Sequence, residues 1–168
     1  MTLKLNFFAK SDRGLIRGNN EDSGYAGSHL LILADGMGGH AAGEVASQLM
    51  VNHLEILDQD PGKEDTEALL AAAADDANEA ISEHVTAHPE TEGMGTTLST
   101  MLFNGTTFGV CHVGDSRAYL LRDGKLEQIT KDDTYVQSLV DSGSLKPEDV
   151  STHPQKSLIL KAYTGRPV

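Results

Sequence analysis

The sequence predicts an α+β fold in which helices are laid on antiparallel sheet. Three observations carry this: a short strand-like apolar run ending at Asp35, two stretches of helical spacing between residues 41 and 85, and period-two patterning from Gly95 to Thr130. At 168 residues the chain has the mass of one domain with a buried core.

Leu3 to Lys10 and Ser23 to Asp35 carry short apolar or alternating runs of strand type. The clearest is Leu30-Leu31-Ile32-Leu33-Ala34, whose unbroken apolar character predicts a strand buried on both faces and closed by Asp35. After the glycines of Gly36-Met37-Gly38-Gly39, apolar residues at Ala42, Val45, Ala46, Leu49, Val51 and Leu54 approximate helical spacing. A helix from about Ala41 to Leu57 follows. Asp58-Gln59-Asp60-Pro61-Gly62-Lys63 is a surface loop by composition, and Thr66 is the expected cap of a second helix with Leu69, Ala73, Ala77, Ile81 and Val85 on one face.

Strand patterning then covers Thr96 to Phe103, Thr106 to Val113, Ala118 to Leu121 and Leu126 to Ile129. Asn104-Gly105, Gly114-Asp115 and Asp123-Gly124 separate these runs, which predicts an antiparallel meander. Thr134 to Ser142 reads as a helix, and Lys146-Pro147-Glu148-Asp149 opens a further short element. No repeat, low-complexity tract or linker divides the chain, so residues 1–168 read as a single domain.

The chain has 25 Asp and Glu against 13 Lys and Arg, a net charge of −12. Such an excess repels a polyanion and leaves few side chains to neutralise phosphates, so no nucleic-acid partner is expected. No continuous apolar segment reaches signal-peptide or membrane-span length, which predicts a soluble, cytoplasmic chain without a membrane segment. The single cysteine, Cys111, allows neither an internal disulfide nor a multi-cysteine zinc site. Much of the acidity belongs to helix exteriors, but Glu21-Asp22, Asp35 and Asp115 fall at strand ends.

Several motifs dissolve on inspection. Gly36-x-Gly38-x-x-Ala41 superficially satisfies the dinucleotide fingerprint, yet Asp35 would set a carboxylate beside the pyrophosphate. The helix is also followed by an acidic loop and another helix where a βαβ unit needs its second strand. Cys111 and Arg117 match the C-x5-R spacing of cysteine phosphatases, but Val110-Cys111-His112-Val113 alternates like a strand interior and Arg117 begins another strand. Cys111 is therefore read as a core thiol. Ser116 lacks the second glycine and the helix of a nucleophile elbow and reads as a turn residue.

The carboxylates survive this scrutiny as a set. An Asp at the end of a buried strand, followed by glycines that permit close backbone approach, offers side-chain oxygens and the Gly36 carbonyl to a cation. Glu21-Asp22 and Asp115 add oxygen, and an all-oxygen set favours Mg²⁺ or Mn²⁺ over zinc. Arg17 adds a fork for a phosphate dianion.

Four segments form an ordered series: Arg17-Gly18-Asn19-Asn20-Glu21-Asp22, Ala34-Asp35-Gly36-Met37-Gly38-Gly39-His40, Gly93-Met94-Gly95-Thr96-Thr97 and Val113-Gly114-Asp115-Ser116-Arg117-Ala118-Tyr119. The series resembles the metal-dependent PP2C (PPM) family of protein serine/threonine phosphatases, and within it the actinobacterial members that oppose eukaryotic-like Ser/Thr kinases. The resemblance runs from about Ser11 through Ile129-Thr130-Lys131-Asp132-Asp133 and His153-Pro154-Gln155-Lys156-Ser157 to the end of the chain.

It implies an αββα sandwich with metals at one end of the central sheets, and hydrolysis of phosphoserine and phosphothreonine by a metal-activated water without a covalent intermediate. Two Mn²⁺ or Mg²⁺ ions are implied, and a third at Asp115. Carried over, Asp35 bridges two ions, Gly36 coordinates through its carbonyl, Glu21 holds the second ion and Asp22 supports it. Arg17 binds the substrate phosphate, and Ser157 offers its carbonyl beside Asp115. His40 is the candidate proton donor to the leaving oxygen, though the spacing Gly-Met-Gly-Gly-His differs from the family's Asp-Gly-His. The implied partners are phosphorylated proteins, namely Ser/Thr kinases and their targets.

The resemblance also implies a further C-terminal portion carrying an Asp-Gly strand end and a late Asp-Asn motif, each giving an aspartate to the metals. The chain reaches Val168 before either. The expectation is a C-terminally incomplete sandwich in which Asp35 is the main holder of the first ion and sheet edges are left unpaired. A second expectation follows, a catalytically inactive fragment that binds metal or self-associates through an exposed edge.

Overall fold

A computed structural model of the chain describes residues 3–39 and 42–168. Strands β1 (Asp22–Ala26) and β2 (Leu30–Met37) form an antiparallel hairpin whose register sets Asp22 opposite Asp35. Helix α1 (Ala42–Leu54) runs into a 3-10 turn, Glu55–Leu57, and α2 (Thr66–Ala87) packs against it. The chain then adds β3 (Gly95–Thr96), β4 (Leu98–Phe103) and β5 (Phe108–Val113) to the same sheet. The order is β1-β2-β4-β5, with β3 beside the end of β2. A separate hairpin, β6 (Tyr119–Arg122) and β7 (Lys125–Gln128), precedes α3 (Tyr135–Asp141) and the 3-10 turn Pro147–Thr152.

The core lies between the two long helices and one face of the sheet. Leu30, Ile32 and Ala34 of β2 and Leu98 and Leu102 of β4 meet Ala46, Met50 and Leu54 of α1 and Leu70, Ala74, Ala77 and Ile81 of α2. Alanines on α2 let it approach closely, and each large aliphatic side chain buried there contributes about 1.5–3 kcal/mol.

The helices start and end close to the expected positions, but the predicted start at Ala41 lies outside the described residues. The cap of α2 is Asp65, not Thr66: its carboxylate accepts from the amides of Glu67 and Ala68, while Thr66 is buried against β5. A carboxylate at this position also complements the helix dipole.

The strand expectations need more correction. Residues 3–10 form no strand, and Phe8 is 87% exposed, because an apolar alternating run without a hydrogen-bonded neighbour has no ladder to hold it. β2 continues past Asp35 to Met37, and it is buried on one face only. Leu31 and Leu33 point to the open side, with Leu33 43% exposed, since no second layer covers them among the described residues. The third predicted strand is split at Thr97, where pairing with β2 shifts from the Gly36 end to Leu30–Leu33. The expected meander is broken at Gly114, whose φ of +111° turns the chain out of the sheet, so β6 and β7 pair with each other instead of extending β5. The Asp123-Gly124 turn has positive φ at both residues, as a two-residue hairpin turn requires. Among the described residues β1 and β5 remain edge strands.

One carboxylate ties the β1–β2 turn to the end of α1. Asp58 accepts from the amides of His29 and Leu30 at 2.7 and 3.1 Å, from Ser28 at 3.3 Å and from the Tyr25 hydroxyl at 2.8 Å. Burial pushes its pKa upward, but these hydrogen bonds outweigh burial and hold it below the usual carboxylate value. A depressed folded-state pKa contributes stability that is present above the unfolded value and is lost as pH falls through the folded one. Asp58→Asn is expected to cost about 2 kcal/mol in urea unfolding at pH 7. The difference from the parent should shrink below about pH 4; equal losses at pH 7 and pH 3 would rule the carboxylate out as the cause.

Candidate functional site

The strand end that carries Asp35 is held by its backbone, so its carboxylate is not needed to anchor the strand. The Asp35 amide donates to Thr97 Oγ1 at 3.1 Å, while its carbonyl accepts from the Thr97 amide at 3.0 Å and from the Thr96 hydroxyl at 3.1 Å. These two threonines, to which the motif that contains them gives no individual role, explain why β3 and β4 meet here.

Burial, foremost, pushes the Asp35 pKa up to about 6; the charge and hydrogen bonding of Asp22 and then the charge of Asp115 add to it, and Arg17 pulls against them. Asp22 and Asp115 are therefore brought to Asp35 from β1 and from the loop after β5, with Arg17 within electrostatic reach. Arg17 is exposed, on the loop before β1.

Glu21 is placed differently. Its carbonyl accepts from the Gly36 amide at 3.1 Å and from Ser47 Oγ at 2.7 Å, pinning the start of β1 to β2 and α1. Its carboxylate takes a hydrogen bond from Asn19 Nδ2 at 2.8 Å and lies against Gly43 near the start of α1. Gly36 and Gly43 are both buried, and a Cβ on either meets the backbone of the other. A glycine early in α1 was the one signal of this contact in the sequence.

The Asp115 loop is clamped. The Gly114 amide donates to Asp133 Oδ2 at 3.1 Å, the Asp133 amide returns a bond to the Gly114 carbonyl at 2.8 Å, and the Ser116 and Thr97 hydroxyls lie 2.9 Å apart. Arg117 forks onto Asp132, with nitrogen to oxygen distances of 2.6–3.1 Å. Asp115, Arg117, Asp132, Gln137 and Lys156 border a cavity of about 400 Å³. Ser157 follows Lys156 in an exposed turn, and no hydrogen bond of its side chain to Asp115 is present among the described residues. His40 lies outside the described residues. Cys111 is half-buried against the core, and burial pushes its thiol up, as fits a packing role.

Chemically, this is an open acidic patch with an arginine at its margin. Among the described residues no three His, Cys, Asp or Glu side chains close into a cage for one ion. The donors that do converge are all carboxylate oxygens, and their mutual repulsion at Asp35 is relieved by a divalent cation. That donor chemistry fits Mg²⁺ or Mn²⁺.

Comparison with known proteins gives the family. Residues 19–152 match the Protein phosphatase 2C family profile. The chain is 59% identical over its full 168 residues to the serine/threonine protein phosphatase PstP of Mycobacterium tuberculosis, of which it spans 33%. A serine/threonine phosphatase stp of Listeria welshimeri is 36% identical over 166 residues, covering 91% of the chain and 64% of that relative. The crystal structure of the M. tuberculosis PstP superposes with a TM-score of 0.96 over 99% of the chain and 71% of that structure. The PstP catalytic domain solved in complex with two manganese ions gives 0.91 at 56% identity, over 98% of the chain and 69% of that structure. The α+β arrangement is thus that of PP2C phosphatases, and the chain belongs to the protein phosphatase 2C family.

Proposed function

We propose that this chain contributes the phosphate-binding and part of the metal-binding machinery of a Mn²⁺- or Mg²⁺-dependent protein serine/threonine phosphatase. The observation that carries the reading is the convergence of Asp22 and Asp115 on a half-buried Asp35 whose backbone is fully bonded. Family membership and the two manganese ions of the PstP catalytic domain support it.

In this reading Asp35 and the Gly36 carbonyl would hold two ions, Glu21 with the support of Asp22 the second of them, and Asp115 with the Ser157 carbonyl a third. When bound, such ions supply Lewis acidity and a water of lowered pKa. Arg17, exposed on its loop, holds the phosphate dianion by its fork. His40 donates a proton to the leaving serine or threonine oxygen. No protein nucleophile is asked for, which agrees with a packed Cys111 and with a Ser116 hydroxyl bonded to Thr97.

The substrates in this reading are phosphorylated proteins, Ser/Thr kinases and their targets among them, in the cytoplasm. Among the described residues no helix is long and apolar enough to cross a membrane. The test is phosphate release from p-nitrophenyl phosphate by the full-length protein with and without Mn²⁺. Turnover that ignores Mn²⁺ would refute the reading.

One observation favours a second reading for the 168-residue chain by itself: the apolar face with Leu31, Leu33 and Met101 is only partly covered, bordered by Phe8 and Arg117, and two strand edges are unpaired among the described residues. A self-associating, inactive chain would then sediment above monomer mass; a monomer that turns over phosphopeptide excludes it.

A further inference from the structure

Ser99 and His112 face each other in the β4–β5 register, on the sheet side away from the helices. The imidazole spans two segments. Nδ1 lies 2.9 Å from Ser99 Oγ, and Nε2 lies 3.0 Å from the Lys131 carbonyl oxygen. Ser99 Oγ also reaches the Ser116 carbonyl at 3.3 Å. A carbonyl only accepts, so Nε2 carries a hydrogen toward Lys131, while the single Ser99 hydroxyl hydrogen, within reach of both Nδ1 and the Ser116 carbonyl, goes to one of them at a time.

The two carbonyls belong to the two segments that meet around Asp115. Ser116 follows it directly. Lys131 precedes Asp132 and Asp133, whose carboxylates hold Arg117 and the Gly114 amide. Thr97 grips the same loop from the side of Asp35 through the Ser116 hydroxyl. The Ser99–His112 pair reaches the same loop through the Ser116 carbonyl and the segment 130–133 through the Lys131 carbonyl. In the sequence, His112 is simply part of an alternating strand.

We infer that His112, acting with Ser99, is a positioning residue: it braces residues 114–116 against residues 130–133 and so sets the affinity with which Asp115 holds a divalent cation. The inference rests on the proposed role of Asp115. Groups that orient a metal ligand without touching the ion are worth about 10–100-fold in affinity, which sets the scale.

The experiment titrates Mn²⁺ into this chain by calorimetry for the parent, H112F, H112Q, S99A and D115N, alone and with H112F added to D115N. Hydrogen exchange of the metal-free proteins follows the amides of residues 114–117 and 130–133. H112F is expected to raise the Mn²⁺ dissociation constant about tenfold and to speed exchange in both segments. H112Q, whose amide offers one donor and one acceptor, restores most of the affinity, and H112F adds nothing on the D115N background.

Ser99→Ala removes the link without emptying the space of the ring and tests the same point if H112F does not fold. A lower unfolding midpoint with parental Mn²⁺ affinity in H112F and S99A would overturn the inference, leaving His112 a packing residue. So would unchanged exchange in both segments. Weakened binding in D115N with none in H112F overturns the inference alone. Parental binding in D115N, or no Mn²⁺ binding by the parent, overturns the role of Asp115 and the inference with it.

Discussion

Asp35→Asn is expected to abolish tight Mn²⁺ binding while making the metal-free chain more stable at pH 7. The Asp35 pKa of about 6 lies above the ordinary aspartate value of 3.8, so between these limits the folded chain binds more protons than the unfolded one. Stability must then fall as pH rises from about 4 to about 6 and stay at its lower level above. A fully buried carboxylate displaced this far would lose about 3 kcal/mol, and partial exposure of Asp35 reduces this to about 1–2 kcal/mol. The amide of Asn removes the penalty. It removes the proposed charged ligand too, and in the phosphatase reading proposed above kcat should fall more than the ~100-fold typical of outer-shell losses. Urea unfolding at pH 5 and pH 7.5 reads the first effect, and calorimetry with Mn²⁺ reads the second. Unchanged Mn²⁺ affinity would remove Asp35 from the site.

Gly36→Ala should be strongly destabilising. Its Cβ meets the Gly43 carbonyl and comes within 2.6 Å of the Glu21 carbonyl, both backbone atoms that no rotamer change can move away. To make room, α1 must separate from β2, and the Glu21 carbonyl must give up its bond from the Gly36 amide. A loss of about 3 kcal/mol or more is expected in urea unfolding. Gly39→Ala is the control: among the described residues nothing lies within 4 Å of its Cβ, so stability should stay within about 0.5 kcal/mol of the parent. Equal behaviour of the two variants would show that β2 and α1 do not cross this closely.

Both predictions concern residues that the sequence singled out, but for reasons it could not supply. Asp35 was legible because an acid follows a buried apolar run and precedes glycines, a pattern with few structural uses. Gly36 was singled out in the sequence only as an expected backbone ligand; that its missing side chain lets α1 dock required the position of Gly43. Helix extents followed from periodicity. The cap at Asp65 was missed because Thr66 is an equally good capping residue type, and only burial of Thr66 against β5 distinguishes them.

Strand identity was legible more often than strand partnership. Leu30 to Ala34 is a strand, but its apolar run reads the same whether one face or both are covered. Residues 3–10 alternate without pairing, and β6 and β7 leave the sheet because Gly114 adopts a positive φ that glycine permits but does not demand. Arg17, Asp22, Asp35 and Asp115 were nominated one by one, whereas Thr97 and Asp133 stood in the motifs without a role and Ser99 and His112 stood outside them, since a hydrogen-bonding side chain has no spacing rule when its partner lies on another strand.

The sequence alone determined the class of fold, the carboxylate set and the hard-cation chemistry, because periodicity and residue type are local properties. Only the tertiary structure decided that Asp22 and Asp115 converge on Asp35, that Glu21 is drawn toward α1, and that the Asp115 loop is held by Thr97, Ser99 and Asp133. Those are distances between segments up to about a hundred residues apart, fixed by register and close backbone packing, and no local pattern encodes them.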